Sequence, residues 1–144
     1  MEEYTLREQI TEVINKLFVY TDLQKWDDLQ TEVFTETVEF DMSTMGGEKS
    51  DKSSKSICDG WKIGFKGLDA VNHLAGNYLI TVLGEGAEVF AYATATHFKA
   101  SATKGKTREF TGSYDLHLIR TQGKWKIDKF RYNLKYATGN LELE

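Results

Sequence analysis

From Asn77 onward the chain reads as strand. Asn77 to Leu83, a Gly84-Glu85-Gly86 turn and Ala87 to Ala100 make one long hairpin. Phe110 to Arg120, a Thr121-Gln122-Gly123 turn and Lys124 to Tyr136 make a second. Hairpins of this length demand an antiparallel sheet, and such a sheet needs cover on one face. In the last strand Trp125 and Ile127 share one face, whereas Phe130, Tyr132 and Leu134 share the other. That change of phase predicts a bulge near Asp128, which bends a sheet.

The cover comes from the N-terminal part. Thr5-Leu6-Arg7-Glu8 is a capping box, and Leu6, Ile10, Val13, Ile14, Leu17 and Phe18 follow at helical spacing to about Thr21. A second, short helix from Asp27 carries Leu29, Val33 and Phe34 beside Trp26, and Val38 to Met42 forms a short strand. A third helix runs from about Ser54 to Gly67 with Ile57, Trp61 and Phe65. Gly60 and Gly64 weaken it by up to ~1 kcal/mol each relative to alanine, which points to close packing there. Between strand and helix, MSTMGGEKSDKSSKS is rich in glycine, serine and lysine and reads as a mobile loop. Helices first and a bent antiparallel sheet afterwards give one α+β domain over residues 1–144, the helices lying in the concave side.

Several classes drop out. The net charge of −4, from 22 acids against 18 bases, leaves no basic stripe interleaved with aromatics, so nucleic acid is not an expected partner. No apolar run spans a bilayer, so no membrane partner is expected. Cys58 is the only cysteine, which excludes an intrachain disulfide and a multi-cysteine zinc site. With a charged N-terminus and no apolar signal core, a cytoplasmic, reducing compartment is expected.

Three acid–base side chains fall at the inner ends of different elements: Asp22 closing the first helix, His73 opening a strand and His97 inside the longest strand. Asp22 faces the negative end of its helix dipole, an unfavourable place that calls for a partner. Alternation puts Ala91, Ala93, Ala95 and His97 on one strand face, leaving room for a packed helix or a ligand. Ser113, Asp115 and His117 share a face of the next strand, which points either into the same hollow or into water. His97 therefore reads either as a pocket base or as a core histidine bonded to a carbonyl, and Asp22 as its orienter or as an exposed helix-end acid.

The segments YTDLQKWDDLQTEVFTETVEFD, NHLAGNYLITVLGEGAEVFAYATATHF and GSYDLHLIRTQGKWKI together resemble the SnoaL-like group of the nuclear transport factor 2-like superfamily. The resemblance spans nearly the whole chain. It implies a cone-shaped, cystatin-like α+β barrel with a pocket, and a homodimer. Among relatives, the likeness to scytalone dehydratase implies that His97 is the general base, Asp22 the carboxylate orienting it, and His73 a second histidine working through water. It implies that Ser113 and Asp115 position the substrate; Trp61, Phe65, Tyr78, Thr21 and Met42 complete the expected lining. The dehydratase places tyrosines where this chain has Thr21 and Met42, and an asparagine where it has Asp115.

The expected function is a cofactor-independent lyase or isomerase of dehydratase or cyclase type, acting on a small hydrophobic carbonyl-bearing ring compound. A base, an orienting acid and hydroxyl donors in one pocket suit removal of a proton α to a carbonyl. The other readings are a non-catalytic ligand-binding or protein-interaction module, and an accessory subunit like those of ring-hydroxylating oxygenases. No metal is expected, because Asp22 is assigned to His97 and not to an ion.

Overall fold

In the computed structural model, which describes residues 3–144, helix α1 (Leu6–Asp22) crosses the hollow of a curved, six-stranded sheet. The helix starts as its sequence dictates. The Thr5 hydroxyl accepts from the Glu8 backbone N–H at 3.1 Å, and the Glu8 carboxylate accepts from the Thr5 N–H at 2.7 Å. Ile10, Ile14, Leu17, Phe18 and Thr21 are its buried positions. Helix α2 (Trp26–Asp28) continues into a π-turn (Leu29–Val33), and the strand follows at once.

Strands β1 (Phe34–Asp41) and β2 (Lys49–Ser53) precede helix α3 (Ser54–Gly64); then come β3 (Ala70–Leu83), β4 (Gly86–Phe98), β5 (Thr107–Thr121) and β6 (Lys124–Gly139). The order across the sheet is β2-β1-β6-β5-β4-β3. Every neighbouring pair is antiparallel except β1 against β6, which is parallel. The expected bulge is present: in β6 the register skips Asp128, between Ile127 and Lys129. A second shift follows Gly76, where Asn77 takes a positive φ of 57°. It moves the inward phase from Val71, His73 and Ala75 to Tyr78, Ile80 and Val82, so β3 keeps its apolar side on the core.

Two expectations need correction. The polar stretch after Met42 is ordered structure. Ser43–Met45 forms a 3-10 turn, the Thr44 hydroxyl donates to the Tyr132 carbonyl at 2.8 Å, and β2 pairs with β1 along its length. A charged, serine-rich edge strand has no apolar alternation to betray it, and its charges protect the sheet edge. The glycines of α3 are not explained by close packing either. A Cβ at Gly60 or Gly64 would meet nothing within 4 Å.

Gly60→Ala is therefore expected to stabilise the protein by up to ~1 kcal/mol, read from urea unfolding, because alanine reduces only the freedom of the unfolded chain. A destabilised variant would show that Gly60 has a role its surroundings do not reveal. Among the described residues no helix is long and apolar enough to cross a membrane.

Candidate active site

Between α1, α3 and the inner face of the sheet lies a mostly apolar cavity of about 350 Å³. Its walls are Leu17, Phe18, Trp61, Phe65, Phe110 and Phe130, with Met42 and Met45 at one side. Of the alanine row on β4, Ala95 lines it, and Ala91 and Ala93 lie buried further along the same face. The polar groups that reach it are few: His73, His97, Arg108, Tyr114, Tyr132 and Thr21.

The strand register brings the histidines together. His73 pairs with Ala95 and His97 with Val71, all on the inner face. The two residues are thus diagonal neighbours, a relation that sets strand positions roughly 7–8 Å apart. Phe18 lies against the His73 ring and Phe65 stands edge-on to His97, each with centroids 5.4 Å apart.

Asp22 has the partner its helix position calls for, and that partner is His73 and not His97. One carboxylate oxygen lies 2.5 Å from His73 Nδ1, and the other accepts the His73 backbone N–H at 2.8 Å. With both oxygens committed to one residue, the acid fixes Nδ1–H and leaves the Nε2 lone pair on a ring that lines the cavity. The assignment of Asp22 to His97 fails for a geometric reason. The end of α1 faces β3, the edge strand, and His97 lies one strand further in.

His97 is bonded instead by Arg108, whose Nε–H donates to His97 Nδ1 at 3.0 Å. A guanidinium has no acceptor, so Nδ1 must be the bare nitrogen and the neutral ring carries its proton on Nε2. Burial, aided by the positive charge of Arg108 and by the neighbouring His73 and opposed by Asp22, pulls the His97 pKa down from 6.5 to about 4. At neutral pH this imidazole presents an N–H donor and no lone pair for proton abstraction.

Thr21, Met42, Trp61 and Phe65 line the cavity as expected, although the Thr21 hydroxyl is spent on the Leu17 carbonyl at 2.6 Å. Ser113, Asp115 and Tyr78 do not. Ser113 and Asp115 pair with Tyr92 and Phe90 on the outer face, where Asn133 donates to both. Tyr78 donates to Asn15 at 2.7 Å and pins α1 to β3.

Direct partners in a sheet share a face, so the residues opposite the alanine row are Phe110, Gly112 and Tyr114. Alternation within Phe110, Tyr114, Leu116 and Leu118 was the available signal for this. Tyr114 and Tyr132 face each other across β5 and β6 with centroids 4.9 Å apart, and they bring phenols where Thr21 and Met42 offer none. Burial holds both phenols above their ordinary pKa, hence protonated. Gly112 is what lets them fit, since a Cβ there would lie 2.6 Å from the Tyr132 hydroxyl. Among the described residues no cluster of three histidine, cysteine or acidic side chains suits a metal ion.

The chain matches the model of the SnoaL-like domain over residues 2–131. No curated protein matches it. Among solved structures, Kfla4162 from Kribbella flavida is similar at 22% identity, covering 95% of this chain and 95% of its own, with a TM-score of 0.89. A scytalone dehydratase-like protein from Novosphingobium aromaticivorans is similar at 15% identity, covering 92% and 85%, with a TM-score of 0.76. The hexachlorocyclohexane dehydrochlorinase LinA-type3 from Novosphingobium barchaimii is similar at 14% identity, covering 92% and 88%, with a TM-score of 0.78.

Proposed function

Because the chain belongs to the SnoaL-like domain family of the nuclear transport factor 2-like superfamily, we propose that it is a lyase or isomerase that removes a carbon-bound proton from a small, hydrophobic, carbonyl-bearing ring compound. The observation that carries this reading is the His73–Asp22 pair, an imidazole held through both oxygens of one carboxylate at the wall of an apolar cavity. His73 Nε2 takes the proton, Asp22 steadies the imidazolium that forms, and the electron pair moves toward the carbonyl. In elimination a leaving group then departs from the neighbouring carbon. In isomerisation the imidazolium returns the proton at a second carbon.

Dehydration and dehydrochlorination, the reactions attached to two of the similar structures, share the removal of a carbon-bound proton. It requires no cofactor. A volume of about 350 Å³ lies at the small end of ligand pockets and suits one or two fused rings. Roles therefore differ from those implied by the resemblance: His73 is the base, and His97 is a hydrogen-bond donor.

The test is uptake of deuterium at the carbon next to the carbonyl of a small bicyclic ketone such as 2-tetralone, followed by NMR in D₂O. The wild type should accelerate exchange and His73→Ala should not. Exchange no faster than in buffer, or undiminished in His73→Ala, would overturn the reading and favour a non-catalytic binding module.

A further inference from the structure

Arg108 is a permanent cation at the wall of a cavity whose other walls are nearly all hydrocarbon and aromatic. Its Nε–H is given to His97 and one Nη1–H to the Leu141 carbonyl at 2.9 Å. Among the described residues no carboxylate pairs with it; Glu142 acts on it only from a distance. The remaining guanidinium N–H groups have no acceptor among the described residues. Beside them stands His97, which can only donate from Nε2 while Arg108 occupies Nδ1.

From this juxtaposition we infer that Arg108 and His97 form a seat for an anionic oxygen of the bound molecule, with Arg108 also acting as the positioning residue that fixes the His97 tautomer. The inference rests on the proposed reading of the cavity and deepens it, because it states which end of the substrate lies where. An oxygen carrying full or developing negative charge sits against β4 and β5, and the proton to be removed lies toward His73 on β3.

Two independent features support it. Arg108 is only half-buried, but the side of its guanidinium that lines the cavity faces apolar groups, and among the described residues no carboxylate contacts it. In addition, the guanidinium is held from two sides, by a ring nitrogen and by a backbone carbonyl of the 140–144 segment. That segment is itself tied down, since Thr103 N–H and Lys104 N–H both donate to the Glu144 carbonyl and Leu143 is buried. The charge comes from one of two sources: a carboxylate present throughout, or a carbonyl oxygen that becomes an enolate as the proton leaves.

Two measurements on the intact protein decide it. The first is imidazole ¹⁵N NMR across the neutral pH range. The charged and titratable groups nearest His97 are Arg108, His73 and Asp22. With Arg108 in place His97 should remain one neutral Nε2–H tautomer; in Arg108→Met both tautomers should appear and the ring should titrate closer to its ordinary range. Arg108→Lys retains the charge without the Nε–H fork, so it should lose the fixed tautomer while holding anions partly.

The second is binding of benzoate, benzamide and 4-nitrophenol, the last reporting its ionisation by colour. If the oxygen is a carboxylate, benzoate should bind about tenfold or more tighter than benzamide, and Arg108→Met should erase the difference. If it is an enolate, 4-nitrophenol should bind as the phenolate with that dependence on Arg108 and benzoate should show no preference. Equal binding of anionic and neutral probes, preference undiminished in Arg108→Met, or a His97 in wild type that titrates like free imidazole would each overturn the inference. None of these measurements needs turnover. Deuterium uptake dependent on His73 would survive failure of the seat, and the seat would survive absence of uptake.

Discussion

Asp22→Asn should slow deuterium uptake by the bound ketone about 10²- to 10⁴-fold while the protein keeps its fold. The carboxylate does two things for His73: it accepts Nδ1–H and it accepts the backbone N–H. An asparagine has one acceptor oxygen. If that oxygen takes the backbone N–H, the amide NH₂ faces Nδ1 and turns it into an acceptor. The ring proton then moves to Nε2, the base loses its lone pair, and no charge remains to steady an imidazolium. If the oxygen takes Nδ1 instead, the amide donors confront the backbone N–H and the end of α1 must shift against β3. The first arrangement removes the base, the second displaces it and leaves its imidazolium without a counter-charge, and ¹⁵N NMR of His73 distinguishes them. Uptake within a few-fold of wild type would mean that His73 does not work through Asp22, and the dyad would be a structural tie between α1 and β3.

How much of this was legible beforehand depends on what each residue's signal rests on. The N-terminal helix announced itself through Thr5, Glu8 and the spacing of Ile10, Ile14 and Leu17, because capping and periodicity are local. The alanine row beside His97 was equally plain, and so was the bulge at Asp128. Partnership was not legible. Asp22 asked for a partner by its place at the negative end of α1, but choosing between His73 and His97 needs the strand order, which is set by the whole core.

Ser113 and Asp115 show the same limit one level down. Their alternation with Tyr114 was visible, yet which alternate faces inward depends on the register with Ala91 and Ala93. The residue missed outright is Arg108. It is the second residue of β5, before the apolar run that begins at Phe110, so it fell outside the strand that periodicity marks. Its importance comes from a contact with His97 on the adjacent strand and from the C-terminal segment that holds it. Composition could flag neither.

The protein should lose stability as pH falls from about 6.5 to about 4, and His97→Gln should remove the part of that loss due to this site. The sign follows from the depressed pKa of His97, about 4 in the fold against 6.5 for the free side chain. Between those values the unfolded chain binds a proton that the folded protein refuses, so acid favours unfolding. Above about 6.5 the contribution is complete. Below about 4 it has been lost, at a cost on the order of 2–3 kcal/mol.

Glutamine is the informative replacement because its amide oxygen can accept from Arg108 Nε–H as Nδ1 does, while the group cannot titrate. Carboxylates elsewhere also contribute to acid unfolding, so the quantity to measure is the difference between the two proteins in urea midpoints across this window. His97→Gln should follow a flatter profile and overtake wild type toward the acid end. Parallel profiles would mean that the folded protein admits the proton after all. In that case His97 Nδ1 is not committed to Arg108, and the neutral donor assigned to the cavity wall would have to be withdrawn.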